Sequence, residues 1–426
     1  MRRLFTHIAT LAGILPEGIL RKQGTEMDHV GTLENAWLLT DGGRIAAFGR
    51  AGEPLPCGAD GAPLQPDETV DCAGGLLMPA FCDSHTHIVY AGSREGEFLD
   101  KINGLSYEQI AARGGGILNS ADRLHETSED NLFAQALERV QEMTAKGTGA
   151  LEIKSGYGLN PADELKMLRV IDRLKKATPA LIKSTFLGAH AVGRGYTHDA
   201  YVQAVCDMIP EAARTADFVD VFCDEGFFTV EDTARILEAG KAAGLRPKIH
   251  ANELAERGGV QVGVRFNALS VDHLERTGAA EIEALRGTET MPTMLPGSSF
   301  FLGIPYGRAK EFIAEGLGVA LASDYNPGSS PSGDMRFVMA LGCIRMRLTP
   351  AQAFNAVTLN SAYAMGVSAE TGSITPGKRA DLILTHPGWN LTKIPYLHHT
   401  PFIRKVYIHG NAILSLHFIT DRLPTL

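Results

Sequence analysis

The chain lacks most of the features that would mark a specialised molecule. Its six cysteines, Cys57, Cys72, Cys82, Cys206, Cys223 and Cys343, include no C-x-x-C pair and are too dilute in 426 residues for a disulfide scaffold, which points to a reducing compartment. No window approaches the roughly 18 consecutive apolar residues of a membrane span. Lys and Arg number 40 against 49 Asp and Glu, a formal charge of −9, and no basic cluster is long enough for a nucleic-acid footprint. After Met1-Arg2-Arg3, the apolar stretch Leu4 to Leu15 is interrupted by Thr6 and His7 and closed by Pro16-Glu17 without a small-residue cleavage site. A cytoplasmic protein with neither membrane nor nucleic acid as partner is expected. Hydrophobic residues at 44% and charged residues at 21% supply an ordinary globular core.

What is present is patterned. Near the N-terminus, Ala36 to Thr40 and Arg44 to Gly49 flank Asp41-Gly42-Gly43 as two strands flank a turn, and Asp381 to Thr385, Lys405 to Ile408 and Ala412 to Leu414 repeat that texture at the other end. Between them, eight strand-like runs alternate with helical stretches: 75–87, 147–154, 182–190, 218–224, 246–250, 268–273, 289–295 and 319–324. Stretches 129–145, 161–176, 230–243 and 350–365 carry helix formers with apolar spacings of three and four, and Gly114-Gly115-Gly116 reads as a loop. The pattern predicts an α/β chain: a (β/α)8 TIM barrel over 75–370, with a small β-sandwich domain assembled from 1–74 and 371–426.

Polar residues crowd the C-terminal ends of these runs: His85 and His87, Lys154, His190, Asp224 and Glu225, His250, His273 and Asp324. In such a barrel that end is the active-site rim. His85 and His87, two apart on a strand, project to one side and can grip one ion. With His250 and Asp324 they make three imidazoles and a carboxylate, a set suited to Zn²⁺ or another borderline transition metal with room for a water. The alternative is a satisfied core histidine at His250 and a helix cap at Asp324. His273 is then placed as a proton-transfer group, since an unperturbed imidazole titrates near 6.5; a fifth ligand or an orienting residue are its other readings. A carbamylated Lys154 would bridge two metals, but it ends the second run rather than the fourth, which favours one ion.

Seven segments in combination carry a resemblance: first Pro79 to His87, Ser323-Asp324 and Thr375 to Leu382, then Ala91 to Phe98, Glu152 to Leu159, Thr185 to His190 and Asp324 to Ser330. The first set resembles the amidohydrolase superfamily, and the rest resemble the imidazolonepropionase family within it, over nearly the whole chain. The resemblance implies a metal-dependent cyclic amidohydrolase that opens 4-imidazolone-5-propanoate to N-formimidoyl-L-glutamate in histidine degradation. It implies one Zn²⁺ or Fe³⁺ per subunit on His85, His87, His250 and Asp324, and a homodimer. It further implies substrate contacts from Arg94, Tyr157, His190, Glu253, Asn326, Gly328 and Ser329, with His273, Asp324 and Glu253 in the catalytic step.

The residue chemistry agrees with such a substrate. The Arg94 guanidinium could fork onto a carboxylate, or pair on the surface with Glu95 or Glu97. Tyr157 and His190 could donate to substrate oxygens, Glu253 could hold a ring N–H or merely start a helix, and the turn 326–330 could offer backbone N–H groups. A deaminase of a heterocyclic amine shares the His and Asp set, and a barrel used only for binding is the rival from another class. The segment 394–401 and the tail from Ser415 depart from the family pattern, and His398-His399 are expected on opposite faces of an extended segment.

Overall fold

The structure, a computed structural model, describes residues 1–58, 61–105, 109 and 115–413. Gly114 and the tail from Ser415 lie outside them. Five strands come from the N-terminal stretch: β1 (Arg3–Ile14), β2 (Gly31–Asp41), β3 (Arg44–Arg50), β4 (Glu68–Asp71) and β5 (Gly75–Pro79). β2 and β3 pair antiparallel through the tight turn at Gly42 (φ 57°) and Gly43 (φ 81°), a left-handed pair of positions that only glycine adopts cheaply.

The barrel follows. Its strands are β6 (Phe81–Thr86), β7 (Thr148–Lys154), β8 (Leu181–Ala189), β9 (Phe218–Cys223), a fifth strand in two pieces, β10 (Arg246–Pro247) and β11 (Ile249–Ala251), then β12 (Ser270–His273), β13 (Met291–Met294) and β14 (Ala320–Leu321). All neighbours pair parallel, from β6 through β14. The ring closes where Thr86 bridges Tyr325, with Asp324 N–H donating to His85 O (3.0 Å) and His87 N–H to Tyr325 O (2.9 Å). Residues 75–87, expected as one barrel strand, divide at Ala80, because β5 pairs with β1 and with a C-terminal strand instead.

Helices occupy the crossovers. Glu129–Ala145 and Pro161–Ala177 start at Ser128 and Asn160, whose side chains cap the first turn. The stretch 350–365 is two helices, Pro350–Ala356 and Leu359–Ala364, broken at Thr358, whose backbone (φ −123°, ψ −93°) leaves the helical region. The strands β15 (Leu382–Pro387), β16 (Ile403–Ile408) and β17 (Asn411–Ala412) complete the terminal sheet, in the order β17-β16-β15-β5-β1-β2-β3 with β4 beside β1. Its own core gathers Phe5, Ile8, Leu11, Leu38, Leu77, Leu382 and Tyr407. Among the described residues no helix is long and apolar enough to cross a membrane. His398 and His399 sit in a turn after a short helix, with rings 4.2 Å apart, so they share a side rather than alternate.

Candidate active site

Strand ends bring His85, His87, His250 and Asp324 together at the C-terminal rim, each at most 2% exposed. His85 Nε2 lies 3.2 Å from His87 Nε2, and His87 Nε2 lies 3.5 Å from His250 Nε2. Asp324 Oδ1 is 3.5 Å from the Nε2 atoms of both His85 and His87. Zinc–nitrogen bonds of about 2.0–2.1 Å in a tetrahedron separate their donors by about 3.3–3.4 Å, which His85, His87 and Asp324 approach as one trio, while His85 and His250 form a second trio with His273. Burial holds His85 and His87 well below the ordinary imidazole pKa, as neutral ligands require. His85 Nδ1 bonds Asp272 Oδ2 at 2.7 Å, which commits its Nδ1–H to a carboxylate and turns a lone pair on Nε2 inward, and His250 Nδ1 lies 3.0 Å from Asp220 Oδ2, within ion-pair distance. Bare lone pairs facing each other repel, and a cation between them removes the repulsion.

Beneath this cluster lies a buried ionic floor. The Lys154 ammonium bonds Glu152 and Asp220 at 2.7 Å each and approaches Asp272 at 3.4 Å. Lys248 pairs with Glu152 and donates to Ser84 O. Burial opposes the charge on Lys154, but Asp220, Glu152 and Asp272 outweigh it and raise its pKa. This nitrogen is fully committed and offers no carbamate bridge to a second metal.

The proton-handling groups stand to one side. The Asp224 carboxylate accepts the N–H groups of Glu253 (2.8 Å), Leu254 (2.9 Å) and Ala255 (3.0 Å), fixing the turn that carries Glu253. Glu253 is therefore on a held loop and not at a helix start. Its Oε2 lies 3.6 Å from His273 Nε2, and Glu275 Oε2 lies 3.5 Å from His273 Nδ1. Burial lowers the His273 pKa, but these two carboxylates override it and raise the value well above 6.5, away from the unperturbed imidazole expected of a base. Burial pushes Glu253 up to about 7. His273 (φ 85°) and Asp324 (φ 53°) both occupy the left-handed region, at a cost of about 1–3 kcal/mol each.

A cavity of about 200 Å³ opens over the cluster, lined by Arg94, Tyr157, His190, Glu253, Asn326, Gly328 and Ser329 together with His87, His250, His273 and Asp324. Arg94 pairs with Glu97 (2.5 Å), yet lines the cavity and leaves its buried Nε without a partner. A Cβ on Gly328 would run into the Arg94 guanidinium, so only glycine permits this packing. Burial raises the Tyr157 pKa, keeping its hydroxyl a donor. His190 is different from the expected donor. Its Nδ1 bonds Gly156 O (2.8 Å) and burial pushes its pKa down to about 3, so the Nε2 on the other side of the ring is an acceptor. The N–H groups of Gly328 and Ser329 are both donated to Asn326 Oδ1 (2.8 Å each), which leaves them engaged within the turn. Asp324 Oδ2 accepts from the hydroxyls of Ser298 and Ser329, which orients the carboxylate with Oδ1 toward His85 and His87.

Sequence reasoning passed over Asp220, Asp272, Glu152 and Lys248 as strand residues, and Glu275, Ser298, Lys101, Phe222 and Leu302 as unremarked wall or rim. The first four had a signal: each is a charge inside an otherwise apolar strand, which burial tolerates only with a partner.

A parallel barrel with this cluster and cavity at its C-terminal rim defines the class of barrel hydrolases. A family model described as the Amidohydrolase family matches residues 76–413. An imidazolonepropionase of Flavobacterium johnsoniae is 50% identical over 418 residues, covering 97% of this chain and 100% of that protein. One from Geobacillus kaustophilus is 40% identical over 424 residues, covering 97% and 99%. A zinc-bound adenosine deaminase from Xanthomonas campestris superposes with a TM-score of 0.73 at 15% identity, covering 97% of this chain and 93% of that one, a likeness of fold. The chain belongs to the amidohydrolase family and, within it, to the imidazolonepropionases.

Proposed function

We propose that the chain hydrolyses the cyclic amide C–N bond of 4-imidazolone-5-propanoate, giving N-formimidoyl-L-glutamate in histidine degradation, with His85, His87, His250 and Asp324 holding one Zn²⁺ or Fe³⁺. The observation that carries this reading is the joining, at one cavity, of two donor trios that share His85, His85–His87–Asp324 and His85–His250–His273, with Arg94, a cation for a carboxylate. When bound there, the ion would lower the pKa of a water to about 7 and supply Lewis acidity.

The side chains do the rest. Arg94 holds the propanoate through the part of its guanidinium that lines the cavity. His190 Nε2 accepts a ring N–H, and Tyr157 donates to a substrate oxygen. Asn326, Gly328 and Ser329 form the turn against which Arg94 packs, and Asn326 fixes that turn through its side chain. Glu253 takes the proton released as water adds to the carbonyl carbon and returns it to the ring nitrogen as the C–N bond breaks. His273, cationic between Glu253 and Glu275, faces the carbonyl oxygen as negative charge grows there. Asp324, oriented at Oδ2 by the Ser298 and Ser329 hydroxyls, shares the handling of that proton.

Loss of the imidazolone chromophore tests the reaction. Wild type should open the ring, Arg94→Ala should raise KM by about 10–100-fold through the lost charged hydrogen bonds, and chelated protein should be inactive until metal is restored. Release of ammonia from a heterocyclic amine, with imidazolone propanoate untouched, would replace this reading by a deaminase. A cytoplasmic homodimer belongs to the same proposal. The exposed Phe98, Leu99, Ile102 and Phe300 support it, and sedimentation tests it.

A further inference from the structure

The cavity has to attract an anion, and its obvious cation does not supply net charge. Arg94 is matched by Glu97, whose carboxylate is fixed in turn by Gly116 N–H (3.1 Å) and Asn119 Nδ2 (3.0 Å), so the pair is neutral as a unit. On the same side stands a second cation. Lys101 lies seven residues beyond Arg94 on the helix Glu95–Ile102, two turns along and so on the same face. Its Nζ donates to Gly328 O (3.3 Å) and sits 5.5 Å from the centroid of the Phe301 ring, and the side chain lines the cavity. Among the described residues, no carboxylate lies within ion-pair distance of it. Gly328 is thus the floor between two cations, touched by Arg94 on one side and Lys101 on the other.

We propose that Lys101 is a specificity-determining residue, the positive charge without an ion-pair partner among the described residues that joins Arg94 in clamping the carboxylate of the substrate's side chain. Arg94 supplies fixed geometry and Lys101 supplies net charge. Partial burial and the neighbouring Arg94 already disfavour the ammonium, so an incoming carboxylate relieves a strained charge as well as filling two donors. The inference rests on the cyclic-amidohydrolase reading in its choice of substrate, but not in its test.

The test compares an acid with its amide. Imidazole propanoate and imidazole propanamide, neither of which can be hydrolysed at the ring, are titrated calorimetrically into metal-loaded wild type, Lys101→Met and Lys101→Arg. In parallel, KM and kcat are measured for imidazolone propanoate. Lys101→Met should weaken the acid and raise KM about 10–50-fold, the range of a charged hydrogen bond, while leaving the amide within about twofold and metal content unchanged. Lys101→Arg should restore most of the loss. Unchanged binding of the acid by Lys101→Met, or equal weakening of acid and amide, overturns the proposal. Absence of ring opening by wild type, with the acid still discriminated from the amide, overturns the reaction and leaves the clamp standing.

Discussion

Replacing Lys154 by methionine perturbs the ionic floor without touching a metal donor. At an effective dielectric of about 20, each contact at 2.7 Å is worth about 6 kcal/mol and that at 3.4 Å about 5 kcal/mol. Desolvation of several kcal/mol per ion offsets most of this. What limits the loss is a different process. A carboxylate left unpaired takes up a proton, which at pH 7 costs about 4 kcal/mol for a group of ordinary pKa near 3.9. Lys154→Met should therefore lower the unfolding free energy by about 3–4 kcal/mol at pH 7. The loss should shrink by about 1.4 kcal/mol for each pH unit below that, because the variant folds with the extra proton. Asp220→Asn added to Lys154→Met returns the floor to one net negative charge: Glu152 and Asp272 against Lys248, where the native floor has three carboxylates against two ammoniums. The double variant should recover about 1–3 kcal/mol as coupling energy. Urea unfolding followed by circular dichroism at pH 7 and 5.5, on samples of equal metal content, reads all three quantities. A Lys154→Met protein within 1 kcal/mol of wild type at pH 7, or one whose deficit grows on acidification, would refute the reasoning.

Three other outcomes follow from the same geometry. Asp272→Asn keeps an acceptor for the His85 Nδ1–H but removes its charge, so metal affinity in a chelator competition should fall about 10–100-fold with the fold intact. Gly328→Ala drives a methyl group into the Arg94 guanidinium and should raise KM about tenfold or more while metal content stays at the wild-type level. Glu164 accepts the N–H groups of Gly156 (3.1 Å), Gly158 (2.7 Å) and Leu159 (3.0 Å), and burial pushes its pKa up to about 7. A carboxyl group raised in the folded state stabilises below its unfolded pKa near 4.5 and loses that contribution as pH rises through 7, up to about 3 kcal/mol. Glu164→Gln should flatten this part of the stability profile, and a parallel profile for the two proteins in urea would show the assignment to be wrong.

The rim was legible and the floor was not. His85, His87, His250, His273 and Asp324 stand out because polar side chains end apolar strands, and strand ends in a parallel barrel share one face. Asp272 sits one position before the rim residue His273 and Asp220 four before Asp224, inside Val271-Asp272-His273 and Val219-Asp220-Val221, and a single charge in a strand does not say which neighbour balances it. That information is in the pairing of β7, β9, β11 and β12 around the ring. The split of residues 75–87 has the same origin: Gly75 to Pro79 is as apolar as any barrel strand, and only the partner strand β15 assigns it to the terminal sheet. The roles of His190 and His273 depended on which atom each ring nitrogen faces. Residue type carries no such information.

The closing seam of the barrel joins its first strand to the segment after its last. His85 and His87 lie on one side and Asp324 on the other, about 240 residues apart in the chain. During synthesis the first two donors emerge long before the fourth, so a nascent chain offers an ion two, then three imidazoles and no carboxylate. An ion held on the proposed donors would clasp the two ends of the ring together.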